Sequence, residues 1–215
     1  VFTYFLPAQL IPAEKNGKYG YMNAEGRLVI DYLYDKAGEF EFYGYAFVTK
    51  GPKKLVVDSL GNELSYADKI EEINEKTQAI AIKGKFDSIP DIILKAKKLV
   101  ILDLGNCKLI NIRPEIGHLT ELKILRLGNN SLSSIPPEIG MLTKLEYLSL
   151  FKNTLKDLPD EMGQLVNLQR LNLSANAFEV FPSEICSLSQ LKTLYFHRNK
   201  IKKIPPEIRL LTDLE

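Results

Sequence analysis

Six leucines, Leu99, Leu122, Leu145, Leu168, Leu191 and Leu214, recur at one constant period of 23, unbroken from the first to the last. A unit of that length cannot bury its own apolar face, so successive units must stack and share one continuous core. Within each unit the next apolar mark falls three positions on, at Leu102, Leu125, Leu148, Leu171 and Leu194, and another two further, at Leu104, Leu127, Leu150, Leu173 and Phe196. A step of two places both side chains on the same face of a short strand, which predicts one strand per unit. Three positions later come Asn130, Asn153, Asn176 and Asn199, where the chain leaves the strand. An amide there can both donate to and accept from the backbone of adjacent turns, and stacked copies form a ladder. Cys107 replaces Asn in the first full unit and is read as structural, a thiol being a weaker partner suited to an end position.

The other half of each unit reads L-x-x-I/L-P-x-E-I-G-x-L, as in Leu132, Ile135, Pro136, Glu138, Ile139, Gly140 and Leu142. Proline limits any helix to a turn or two, so short helical turns are expected on the side away from the strands. Gly117, Gly140 and Gly163 recur in register and are expected to supply a left-handed turn, with Cys186 and Arg209 as departures. Cys186 reads as a packed small residue, on a different side of the coil from Cys107 and too far from it for a disulfide.

The segments LKILRLGNNSLSSIPPEIGML, LEYLSLFKNTLKDLPDEMGQL and LQRLNLSANAFEVFPSEICSL resemble the L-P-x-E-I-G-x-L subclass of leucine-rich repeats, which has this same period, over about residues 77 to 215. The resemblance implies an α/β fold class, a right-handed solenoid with a parallel sheet on its concave side and short helices or turns on its convex side. In this family the concave sheet commonly binds proteins.

Phe86, Ile89, Pro90 and Ile93 lie two periods before Leu132, Ile135, Pro136 and Ile139, which marks residues 77–98 as an N-terminal cap repeat. Its strand is expected within Thr77 to Lys83, with Ile80 and Ile82 inward. The interval from Ile80 to Leu102 falls one short of the period, so the cap loop is shorter than the others. Residues 67–76 read as a short amphipathic linker helix, with Ile70 and Ile73 at helical spacing among charges. Leu214 and Glu215 fall where a sixth strand would begin. The array over 99–215 is accordingly expected to be truncated.

Residues 1–66 hold eight of the ten tyrosines, Tyr4, Tyr19, Tyr21, Tyr32, Tyr34, Tyr43, Tyr45 and Tyr66, an enrichment that favours strands. Laying residues 17 to 26 on residues 52 to 61 aligns Asn23 with Asp58 and Gly26 with Gly61. Each copy reads as strand, polar turn, strand, the first as Lys18 to Met22 and Arg27 to Ile30. Gly17, Lys18, Tyr19, Gly20, Asn23, Gly26, Tyr34, Asp35, Ala37, Phe40, Gly44, Ala46 and Val48 match the pattern of WG repeats, and the segment resembles that family, with Tyr19 in place of Trp. The resemblance implies a small antiparallel β module.

Charge excludes little but points away from polyanion binding as a bulk property. The 28 basic and 27 acidic residues divide into 14 and 14 through residue 98 and 14 and 13 after it. Neither nucleic acid nor a membrane is an expected partner, and no run approaches the roughly 18 apolar residues that cross a bilayer. The two cysteines carry no paired spacing, and no metal or cofactor is expected. His118 reads as a surface residue of a convex turn. No Walker loop, HExxH or GxSxG pattern occurs, and no catalytic residue is assigned. The sequence constrains location little: it favours the cytoplasm slightly, and secretion or surface display applies if a signal precedes Val1. A monomer is expected.

Alternation along the strands leaves the residues between the buried leucines on the concave face. From these, Arg126, Tyr147, Phe151, Arg170, Asn172, Tyr195 and His197 form the expected partner-binding set, because aromatics and arginine dominate binding hot spots. The basic run from His197 through Arg198, Lys200, Lys202 and Lys203 reads as a solvated edge. The expected function is a non-catalytic scaffold that binds a protein or peptide on this face. The alternatives are the recognition part of a larger enzyme and a cell-surface adhesion or glycan-binding protein.

Overall fold

The computed structural model describes residues 10–41 and 44–215, which divide into two compact units, one ending at Ala67 and one beginning at Asp68. Tyr4 and Tyr43 of the tyrosine-rich segment lie outside the described residues.

The first unit is antiparallel. Strands β1 (Ile11–Lys15), β2 (Lys18–Met22) and β3 (Leu28–Tyr34) form one three-stranded sheet. Strands β4 (Lys36–Ala37), β5 (Tyr45–Lys50), β6 (Lys53–Asp58) and β7 (Glu63–Ala67) form a meander. The internal repeat of this segment is structural as well as sequential. The Asn23 N–H donates to Arg27 O and the Gly26 N–H to Asn23 O, each at 3.0 Å; the Asp58 N–H donates to Asn62 O at 3.1 Å and the Gly61 N–H to Asp58 O at 3.0 Å. Gly26 and Gly61 sit at φ 76° and 86°, where a side chain would be strained. The side chains of Asn23 and Asp58 each accept the backbone N–H at the fourth position on, which explains why those two residue types alternate at this place. The core gathers Tyr21, Ile30, Tyr34, Ala46, Val48 and Val57. Tyr21 packs edge-on to Phe40 with centroids 4.8 Å apart and donates its hydroxyl to Gly38 O at 2.9 Å.

The second unit carries one parallel strand per turn. These are β8 (Ala79–Ala81), β9 (Ile101–Asp103), β10 (Ile124–Arg126), β11 (Tyr147–Ser149), β12 (Arg170–Asn172) and β13 (Thr193–Tyr195), paired in chain order. Ile80 pairs with Leu102 and Leu102 with Leu125, so the interval that falls one short belongs to the cap turn. The central leucines Leu102, Leu125, Leu148 and Leu171 are fully buried. Five turns of 3-10 helix, Pro114–His118, Pro137–Met141, Asp160–Gln164, Ser183–Ser187 and Pro206–Leu210, close the opposite side. The cap turn holds a single α-helical turn, α1 (Asp91–Leu94). A prolyl ring preceding or opening each 3-10 turn starts it, and the chain's early return to the next strand ends it before an α-helix can propagate.

Two expectations change. The linker helix over 67–76 is one 3-10 turn, Ile70–Glu72. So short a charged segment cannot repay helix nucleation, and Ile73 is instead buried in extended conformation. The glycines at 117, 140 and 163 are also not left-handed. They are tight contacts between successive turns: a Cβ on Gly140 would lie 2.5 Å from Glu161 O, and one on Gly117 2.8 Å from Met141 Sδ. The left-handed position falls elsewhere in the unit, at Asn106, Asn129, Lys152, Ala175 and Arg198, with φ between 54° and 65°. There the N–H donates to the next turn, as from Lys152 to Ser174 O at 2.9 Å and from Ala175 to His197 O at 2.9 Å.

Gly140→Ala should therefore destabilise the chain by about 1 to 3 kcal/mol through overpacking. Ala175→Gly should stabilise it by about 0.5 kcal/mol by relieving a left-handed conformation that costs an L-residue about 1–2 kcal/mol. Urea unfolding midpoints of the two variants check both signs. In the first unit, burial and then the Glu63 carboxylate push the Tyr34 phenol up to about 12, and burial pushes Tyr21 up as well. A phenol raised in the folded state keeps its proton longer there than in the unfolded chain. Its stabilisation is complete below about pH 10 and is lost as pH rises toward 12. Absorbance titration at the phenolate band should show these two tyrosines ionising late, together with loss of the module's fold.

Candidate functional site

The side chains of Asn130, Asn153, Asn176 and Asn199 hold the strand ends that present the concave face. Asn153 donates to Leu127 O and Leu150 O, each at 3.0 Å, and accepts from the Leu132 N–H at 3.0 Å. Asn130, Asn176 and Asn199 repeat the pattern in their own turns. The Cys107 thiol takes the donor role at the start of the ladder, 3.2 Å from Ile82 O, and burial raises its pKa. Cys107 and Cys186 are both buried and unpaired, which suits packing rather than nucleophilic chemistry.

Three columns of side chains rise from β9 to β13 between the leucines. The first, Ile101, Ile124 and Tyr147, is buried before it becomes half-buried at Arg170 and Thr193. Tyr147 stands between Ile124 and Arg170 in the strand register and is 7% exposed. Burial raises its pKa, with a hydrogen bond to Ser149 and the Arg126 charge acting in the opposite direction. It therefore packs against its neighbours and does not stand open to solvent, because a ring on a parallel sheet with strands about 4.8 Å apart covers the adjoining strands.

The second and third columns are more open. Arg126 forms an ion pair with Asp103 at 2.8 Å, and the same carboxylate accepts the Gly105 N–H at 2.9 Å. Asn172 accepts the Ser174 N–H at 3.0 Å, which fixes the end of β12. Phe151 is half-buried. Tyr195 is 46% exposed, and His197 lies beyond the end of β13 with Nδ1 3.0 Å from Ser174 Oγ. A groove of about 630 Å³ runs along the strand ends, bounded by Asp103, Arg126, Ser149, Phe151, Lys152 and Arg198.

Of the seven expected residues, Arg126 and Phe151 line this groove; Arg170, Asn172, Tyr195 and His197 lie farther along β12, β13 and the turn after it, and Tyr147 is buried beneath the face. Sequence reasoning missed Lys83, Lys152 and the left-handed column, and it read Arg198 as part of a solvated edge although it lines the groove. The available signal was asparagine at positions 106 and 129, the residue type that best tolerates a positive φ. Tyr147→Phe should cost about 1 kcal/mol, the hydrogen bond alone, whereas Tyr147→Ala should cost about 3 kcal/mol or more by leaving a cavity. Thermal or urea unfolding separates the two.

Residues 137–215 match the leucine-rich repeat region family, residues 121–142 the leucine rich repeat, and residues 19–53 the WG containing repeat. A leucine-rich-repeat protein of Leptospira interrogans is 32% identical with TM-score 0.63, covering 66% of this chain and 42% of its own. The ectodomain of the Arabidopsis thaliana membrane receptor kinase GASSHO1/SCHENGEN3, solved in complex with Casparian strip integrity factor 2, is 31% identical with TM-score 0.56, covering 69% of this chain and 19% of its own. Internalin C2 of Listeria monocytogenes, 23% identical with TM-score 0.58, covers 65% of this chain and 59% of its own and shares the fold. No curated protein matches the sequence. The chain thus spans less than half the length of the first two structures it resembles. By its repeats, its parallel strands and these matches, the chain carries leucine-rich repeats over residues 121–215 and a WG containing repeat over residues 19–53.

Proposed function

We propose that the chain is a non-catalytic scaffold that binds a protein or peptide on the concave face of its leucine-rich repeats. The observation that carries this reading is the open groove along β8 to β13, floored by short strands that the leucine core and the asparagine ladder hold in place. A rigid platform loses little conformational freedom on binding, so contact energy is not consumed in ordering the surface. Half-buried Phe151 and exposed Tyr195 supply apolar contact area, and Arg170 adds a planar cation. That the plant receptor ectodomain was solved in complex with Casparian strip integrity factor 2 supports the reading by analogy of fold.

The test is capture of partners by the purified chain, comparing wild type, a Phe151→Ala/Arg170→Ala/Tyr195→Ala variant and the control Lys156→Ala. The concave variant should lose its partners by roughly thirtyfold or more in affinity, as removal of hot-spot contacts of about 2 kcal/mol requires. The control should retain them. Identical partner sets for the two variants would place the interface elsewhere.

A further inference from the structure

The solenoid is nearly neutral, 14 basic against 13 acidic residues over 99–215, yet its repeat sorts charge by side. Glu115, Glu138, Glu161, Glu184 and Glu207 each occupy the first turn of a 3-10 segment opposite the strands. Between turns, Lys144 pairs with Glu121 at 2.7 Å and Lys123 with Glu146 at 3.1 Å, and none of these four residues lines the groove. The groove itself is bordered by Lys83, Arg126, Lys152 and Arg198 against a single acid, Asp103, which Arg126 already holds. Lys83, Lys152 and Arg198 are exposed, and among the described residues none of the three forms an ion pair.

We propose that this groove selects an extended, acidic polypeptide segment whose carboxylates meet Lys83, Lys152 and Arg198. The inference rests on the concave-face reading above and names the chemistry of its partner. Like charges around one concave, low-dielectric surface focus a positive potential that an anionic occupant relieves. The floor favours a peptide over a nucleic acid. Half-buried Phe151 offers one apolar contact and no platform on which successive bases could stack. Asn106 and Asn129 place amides at the rim within reach of a peptide backbone.

The geometry also sets a spacing. Lys83 follows β8, Lys152 follows β11 and Arg198 follows β13, three and then two strand intervals apart. At about 4.8 Å per interval the cations lie roughly 14 Å and then roughly 10 Å apart, and an extended peptide advances about 3.3 Å per residue. Carboxylates about four and then about three residues apart therefore meet all three.

The test is fluorescence anisotropy of the whole chain with a labelled synthetic peptide carrying Glu at its first, fifth and eighth positions and Leu at its sixth. Its comparators are the same peptide with Gln at those positions and a single-stranded DNA of similar charge. The Glu peptide should bind roughly tenfold or more tightly than the Gln peptide, as three surface ion pairs imply, and the difference should shrink with added salt. Lys83→Glu/Lys152→Glu/Arg198→Glu should abolish it, the milder Lys83→Gln/Lys152→Gln/Arg198→Gln should reduce it, and Lys156→Glu should leave it intact. Equal binding of both peptides, binding of neither, or DNA bound as tightly as the Glu peptide overturns the acidic preference. If the two peptides bind equally and Phe151→Ala weakens both, the concave-face reading survives that failure. If binding ignores Phe151→Ala and the charge reversal alike, both readings fall.

Discussion

Every turn of the solenoid must leave its strand, reverse and start again, and at that corner backbone groups of several turns come together away from water. Unpaired, each would cost about 1–3 kcal/mol. The asparagine side chain answers this demand with both of its functions at once. In Asn153 the amide donates to carbonyls of its own turn and of the turn before, while its oxygen accepts an N–H of the preceding turn. Because each bridge ties one turn to another, the ladder holds the strands in register together with their own short pairings. At Cys107 the demand is smaller, since only the cap turn precedes it, and a thiol donating to Ile82 O meets it.

Three further features depend on that corner. The residue just before the ladder position is forced into the left-handed region, so that its N–H reaches the next turn while its side chain is thrown to the rim of the concave face. Lys152 and Arg198 owe their place on the groove to this backbone constraint and not to strand alternation. On the opposite side the turns approach until Gly140 touches the backbone of Glu161. The acidic residues of the 3-10 turns lie on that same side, away from the groove.

The parts legible in the sequence were those governed by period and polarity. The strands, the buried leucines, the ladder, the short cap and the paired turns at Asn23 and Asp58 all follow from residue types recurring at fixed distances, because local geometry alone determines which face they share. The readings that changed each required knowledge of a neighbour. Glycine in register suggested a backbone need, yet Gly140 answers a contact from the next turn. Tyr147 alternates outward and is nonetheless buried, because adjoining strands contribute atoms that no single unit contains. Ile70 and Ile73 have helical spacing, but the segment is too short to sustain a helix.

The sequence by itself determined that residues 99–215 stack as like turns around leucine, and that an amide is needed at each corner, since so strict a repetition admits no other compact burial of that apolar set. Only the tertiary structure decided which residues share the groove. Lys83, Arg126, Lys152 and Arg198 are far apart along the chain and meet because stacking converts sequence distance into strand spacing. That conversion depends on how closely the turns pack and where the backbone turns left-handed, and both are properties of neighbouring turns acting together.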